Sequence, residues 1–103
     1  MNPKSNEKHI DDLYAAILTL ETREECVRFF GDLCTSIEID TLAQRFEVAK
    51  MLRESHIYAD IVNATGASTA TISRVNRSIN YGNGGYDIAL ERIKENDAAK
   101  SDN

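Results

Sequence analysis

"YADIVNATGASTATISRVNRSI", residues 58–79, decides the fold of this chain. Gly66 divides it. Ahead of the glycine stand Ile61 and Val62; after it Ile72, Val75 and Ile79 fall at i, i+3 and i+7, the spacing at which a helix buries one face. Two short helices, over 58–65 and 69–80, joined at a glycine make a helix-turn-helix. Gly66 adopts the left-handed backbone of a tight turn without the penalty a Cβ would bring. Ser68 is placed to cap the second helix, its hydroxyl accepting from the N–H of residue 70 or 71.

With Ile72, Val75 and Ile79 turned inward, the second helix presents Thr69, Ala70, Ser73, Arg74 and Arg77 outward. Short side chains at the N-terminal end let a helix lie deep in a major groove, where hydroxyls and methyls reach base edges. Arginines one and two turns later reach phosphates, or a guanine if the tilt allows. The charge pattern agrees. Residues 66–81 hold arginines and no acid. Over 44–81, where Arg45, Lys50 and Arg53 face Glu47, Glu54 and Asp60, the net is +2 in a chain of formal net charge −5, which leaves −7 elsewhere. Many DNA-binding domains are basic throughout, so the acidic total counts against nucleic acid everywhere except on this one face.

Upstream, Ile10, Leu13, Tyr14, Ile17 and Leu18 form a helical stripe and predict a helix over 10–20. Thr22 stands three before Glu25 and Thr35 three before Glu38, two capping boxes bracketing a short helix that carries Cys26, Phe29, Phe30 and Leu33. From Ser36 to about Ser55 nothing breaks a helix. Ile39, Leu42, Ala43, Phe46, Ala49 and Arg53 mark one of its faces, and Val48, Met51 and Leu52 another. A helix apolar on two sides is either a central core helix of a monomer or a seam between two copies. With so few other elements to cover it, we adopt the second. After the Gly82–Gly85 turn cluster, Tyr86, Ala89, Leu90 and Ile93 predict a last helix over 85–96. The polar segments 1–9 and 97–103 are expected to be flexible, around one helical domain over 10–96. Tyr81 and Tyr86, on either side of the glycine turn, are expected to pack in the core or a dimer seam in preference to touching sugar or phosphate.

Several function classes drop out. No apolar run has the length of a bilayer span, and the N-terminus lacks the apolar stretch of a signal peptide, which points to the cytoplasm. Cys26 and Cys34 would lie about 12 Å apart along one helix, too far to bridge. We expect them as buried free thiols in a reducing compartment, packed beside Phe29, Phe30 and Leu33. His9 and His56 have no partners at ligand spacing and are expected on the surface, so no metal site and no cofactor are expected. No nucleophile elbow or phosphate loop occurs, and the glycines at 82–85 follow a helix, so no enzyme is indicated.

"LAQRFEVAKMLRE" (42–54) and "TGASTATISRVNRSINYGN" (65–83), within a likeness over about residues 10–95, resemble the Trp repressor family. The likeness is closest to its branch of TrpR-related proteins of YerC/YecD type, found in Gram-positive bacteria. The resemblance implies an all-α fold of six helices in an intertwined homodimer, with a helix-turn-helix head on each side and half-sites one DNA turn, about 34 Å, apart. It places Thr69, Ala70 and Ser73 toward the operator. Ala59 stands where the family has a basic residue near phosphate, a departure that removes one contact. The resemblance also implies a ligand site. Arg74 matches an arginine on which the corepressor indole stacks, and Gln44 stands where a second arginine would bracket the other side of the ring, with Arg45 adjacent and Ser78 alongside. Val75 replaces a glycine that lets the corepressor approach the backbone. The lost guanidinium and the added branched side chain argue that L-tryptophan is not the corepressor, while leaving room for another small effector.

The expected function is a homodimeric, sequence-specific DNA-binding transcriptional regulator, a repressor that occludes a promoter. Thr69, Ala70 and Ser73 would read bases beside Ser68, and Arg74, Arg77, Lys50 and Arg53 would hold the phosphates of double-stranded DNA. The alternative is a helical dimeric module that uses the 66–81 surface to dock another protein.

Overall fold

The computed structural model describes the backbone over residues 3–101 and the side chains over 6–100. Six helices follow one another: α1 (Pro3–Leu18), α2 (Arg23–Leu33), α3 (Ser36–Arg53), α4 (Tyr58–Thr65), α5 (Thr69–Tyr81) and α6 (Gly85–Ser101). Among the described residues there is no strand. Residues 1–39 and 40–103 form two compact units, and α3 begins in the first and ends in the second.

In the first unit both capping boxes form. The Glu25 N–H donates to Thr22 Oγ1 at 3.1 Å, and the Glu25 carboxylate accepts from Glu21 N–H at 2.8 Å, one residue earlier than the reciprocal pattern predicts. At the next start the reciprocity is complete, with Glu38 N–H on Thr35 Oγ1 at 3.1 Å and Thr35 N–H on the Glu38 carboxylate at 2.9 Å. Together these satisfy backbone donors that a helix start leaves free.

The helix α1 begins at Pro3, well before Ile10. Polarity at residues 3–9 does not stop it, because proline suits the first helical position and Lys8 pairs with Asp12 one turn on, at 2.8 Å. Likewise α6 continues past residue 96 to Ser101 through "NDAAKS". Met1, Asn2, Asp102 and Asn103 lie outside the described residues.

Among its described residues the first unit has no buried side chain: Leu18 is 84% exposed, Tyr14 59% and Val27 54%. The expectation of two buried thiols is corrected by this, since Cys26 is exposed and Cys34 only half-buried. Phe29 and Phe30 meet edge to face at 5.4 Å, but α2 buries nothing within its own chain.

The core lies in the second unit. Val48, Ala49 and Met51 of α3, Ile61 of α4, Ala67 of the turn, and Ile72, Val75 and Ile79 of α5 form one buried cluster, with Leu52, Val62 and Tyr86 packed against it. Of the two apolar faces of α3, the one that carries Val48 and Met51, with Ala49, is the one covered in this chain. That helix stops at Arg53, two residues early, because Ser55 turns into the left-handed region (φ 67°) and the His56 N–H reaches back to the Met51 carbonyl at 3.1 Å. This small core joins α3, α4 and α5.

Candidate nucleic-acid interface

The turn between α4 and α5 is built as the spacing predicts, with α4 ending at Thr65 and α5 beginning at Thr69. Gly66 adopts φ 71° and its N–H donates to the Val62 carbonyl at 2.8 Å. Thr65 braces the same turn, its hydroxyl donating to the Ile61 carbonyl at 2.7 Å and accepting from the Ala67 N–H at 3.1 Å. Ala67 is buried beneath. Ser68 is the N-cap: its Oγ accepts from the Thr71 N–H and donates to Thr71 Oγ1, both at 3.1 Å. The Ser68 hydroxyl is therefore engaged in positioning α5.

Ile72, Val75 and Ile79 turn into the core, leaving Thr69, Ala70, Ser73, Arg74 and Arg77 exposed on the far side. Neither guanidinium has an ion pair or a side-chain hydrogen bond among the described residues. No acid occurs between Asp60 and Asp87, so no carboxylate on α5 itself competes for them. A guanidinium without an ion pair among the described residues, beside short hydroxyl and methyl side chains, has the chemistry to meet a phosphate at one end and base edges at the other.

The other two cations assigned to phosphate sit elsewhere. Lys50 is exposed and Arg53 half-exposed, and both line a groove between α3 and α6 together with Phe46, Asp87, Leu90 and Lys94. Arg53 is committed there to Asp87, with Nε and Nη2 each 2.8 Å from a carboxylate oxygen. These two hydrogen bonds hold the Asp87 carboxyl below the ordinary carboxylate range and raise the Arg53 guanidinium. Spacing along the chain gave no hint of Asp87, because the partners are 34 residues apart.

Of the two places expected for Tyr81, the core of its own chain is excluded, since it is 85% exposed. Tyr86 does pack inward, half-buried against the core, with its ring 6.4 Å from that of Phe46. Among the described residues no three His, Cys, Asp or Glu side chains are grouped to hold a metal ion, His9 and His56 are both exposed, and no helix is long and apolar enough to cross a membrane.

Residues 8–94 match the family described as Trp repressor protein. The chain belongs to the Trp repressor family. It is 57% identical over 94 residues to the Bacillus subtilis (strain 168) protein YerC, itself uncharacterised, a match that spans 91% of this chain and 90% of that one. It is also 57% identical to a TrpR-like protein from Eubacterium eligens of known crystal structure, at a TM-score of 0.84 over 90% of this chain and 96% of that one. A Staphylococcus aureus structure is 54% identical with a TM-score of 0.82, over 84% and 87% of the two chains. The family is one of regulators.

Of the residues that the family resemblance assigned to a ligand, the structure assembles three. Arg45, Arg74 and Ser78 line a cavity of about 200 Å³ together with Thr71, Val75 and Tyr86. Gln44 does not line this cavity: its side-chain amide donates to the Thr65 carbonyl at 3.1 Å and ties α3 to the end of α4. Thr71 and Tyr86 were missed. Thr71 was legible, since Thr71, Arg74, Val75 and Ser78 follow at i, i+3, i+4 and i+7 on one side of α5; Tyr86 arrives from another helix.

Proposed function

We propose that this chain is a sequence-specific DNA-binding transcriptional regulator, a cytoplasmic repressor that acts as a homodimer through the α4–α5 helix-turn-helix. The observation that carries this is the outer face of α5, where Arg74 and Arg77 stand exposed, without an ion pair among the described residues, behind Thr69, Ala70 and Ser73. Thr69, Ala70 and Ser73 contact base edges; Arg74 and Arg77 hold phosphates. Lys50, exposed beside α6, serves as an outlying phosphate contact, whereas Arg53 is held by Asp87 and Ser68 acts as the cap that aims α5. Membership of the Trp repressor family supports the same function.

Dimerisation is supported by the first unit. Its α1 and α2 carry Ile10, Tyr14, Leu18, Val27 and Leu33 exposed, and Ile37 is exposed at the start of α3. So many large apolar side chains left in water mark a surface that another chain covers. The occupant is a second copy, whose intertwining gives each α5 a partner one turn of DNA away.

L-tryptophan does not serve as corepressor. The cavity beside Arg74, at about 200 Å³, lies below the range of about 300–1,000 Å³ typical of small-molecule sites. Val75 is buried at its wall and Gln44 is engaged with Thr65. Any effector that enters is smaller.

Measuring affinity for duplex DNA over a range of salt tests the proposal. Each phosphate neutralised contributes about 0.9 to the slope of log K against log salt, so Arg74→Ala flattens the slope by about 1.8 for the two subunits and lowers affinity on every sequence. A helical module that docks another protein through this face shows no salt-dependent duplex binding at all, and that result would overturn the proposal.

A further inference from the structure

On the DNA-binding role proposed above for α5, we infer that Tyr81 is a further nucleic-acid contact, placed on the sugar–phosphate backbone at the edge of the groove. Its position follows from the helix. At 3.6 residues per turn, Ala70, Arg74, Arg77 and Tyr81 fall within about 60° of one another around α5, on the side opposite Ile72, Val75 and Ile79. Tyr81 is the last residue of that helix and 85% exposed, the most exposed of the large apolar side chains in the second unit. The helix gives way at Gly82, where a Cβ would run into the Ser78 carbonyl, so Tyr81 is the last side chain that α5 presents.

The taper of the helix says which end goes in. Thr69, Ala70 and Ser73 are short and the long side chains start at Arg74, so the N-terminal turn enters the groove. Tyr81 lies about 16 Å further along the axis than Ala70, and a major groove is about 12 Å wide. With Ala70 at the base edges, the last turn has left the groove and lies against its wall, where a phenol meets sugar and phosphate. The tyrosine hydroxyl donates to a phosphate oxygen and the ring rests on the deoxyribose; neither carries sequence information. Its neighbour Asn80 faces away and hydrogen-bonds back to Asn76 at 3.4 Å.

Fluorescence anisotropy with the full chain and a labelled duplex, measured at several salt concentrations, tests this. Two duplexes serve, one enriched from a random pool by the wild type and one scrambled. Tyr81→Ala is expected to weaken both by about three- to tenfold and to leave the salt slope unchanged, because the contact is uncharged. Tyr81→Arg replaces it with a cation and is expected to steepen the slope by about 1.8 per dimer. Sedimentation of both variants is expected to match the wild type. Unchanged affinity of Tyr81→Ala beside a strong loss in Arg77→Ala overturns the inference and leaves the DNA-binding role intact, as does a Tyr81→Ala protein that sediments as a monomer, which would place Tyr81 against the second copy. Failure of the wild type itself to bind duplex would overturn the role on which the inference rests.

Discussion

Arg53 holds Asp87 with both prongs of its guanidinium, Nε to Oδ1 and Nη2 to Oδ2 at 2.8 Å each, and so ties the last turn of α3 to the first turn of α6. A guanidinium used in this way is not free for phosphate. Arg53→Ala is therefore expected to leave DNA affinity and its salt slope at the wild-type level while lowering the thermal midpoint. Arg74→Ala is expected to do the reverse. Parallel melting curves and salt titrations of the two variants check the contrast.

The same pair sets part of the acid limit of the fold. Asp87 is depressed by its hydrogen bonds from Arg53, and Glu38 by the Thr35 backbone N–H and then the Thr35 hydroxyl. Carboxyls with folded values below their unfolded ones stabilise the fold above the unfolded values, and that stabilisation is lost as pH falls through the folded ones. The urea midpoint is expected to hold steady from neutrality to about pH 5 and then decline. Asp87→Asn is expected to make the decline shallower, having already lost its share at every pH.

Val75 lines the cavity beside Arg74 from its place in the core. Isothermal titration with L-tryptophan is expected to give no saturable heat at micromolar concentrations, and added tryptophan is expected to leave DNA affinity unchanged. Val75→Gly removes the branched side chain from the wall and places a glycine inside α5, at a combined cost of about 3 kcal/mol. Denaturant unfolding gives that number. Micromolar tryptophan binding by the wild type would contradict this reading of the cavity.

Ser55 carries the only positive φ of a non-glycine residue among those described, at 67°. It occupies the position after α3 where a glycine meets no Cβ penalty. Ser55→Gly is expected to stabilise the protein by about 0.5–1 kcal/mol, seen as a higher urea midpoint at unchanged m-value.

What could be read from the residues in order was local. Gly66, Ser68 and the 72–75–79 stripe place α4 within its observed bounds and α5 within a residue, because a glycine turn, a cap and a single buried face are all encoded within one short segment. The capping threonines locate α2 and α3 for the same reason. Polar helix ends were hidden, since "PKSNEKH" and "NDAAKS" have no apolar period to report them. Contacts between helices were hidden too. Nothing in the spacing joins Arg53 to Asp87 or Gln44 to Thr65, and each of those pairings engages a side chain for which its position had suggested another use. Arg74 and Arg77 were legible because their outward direction is fixed by the three buried residues on their own helix.

Selection from a random pool of duplexes by the purified protein probes the central claim most directly. An enriched inverted repeat is expected, with half-site centres one helical turn apart, that is lost with Arg74→Ala. A pool that returns without enrichment, or with a single unrepeated site bound by a monomer, would contradict it.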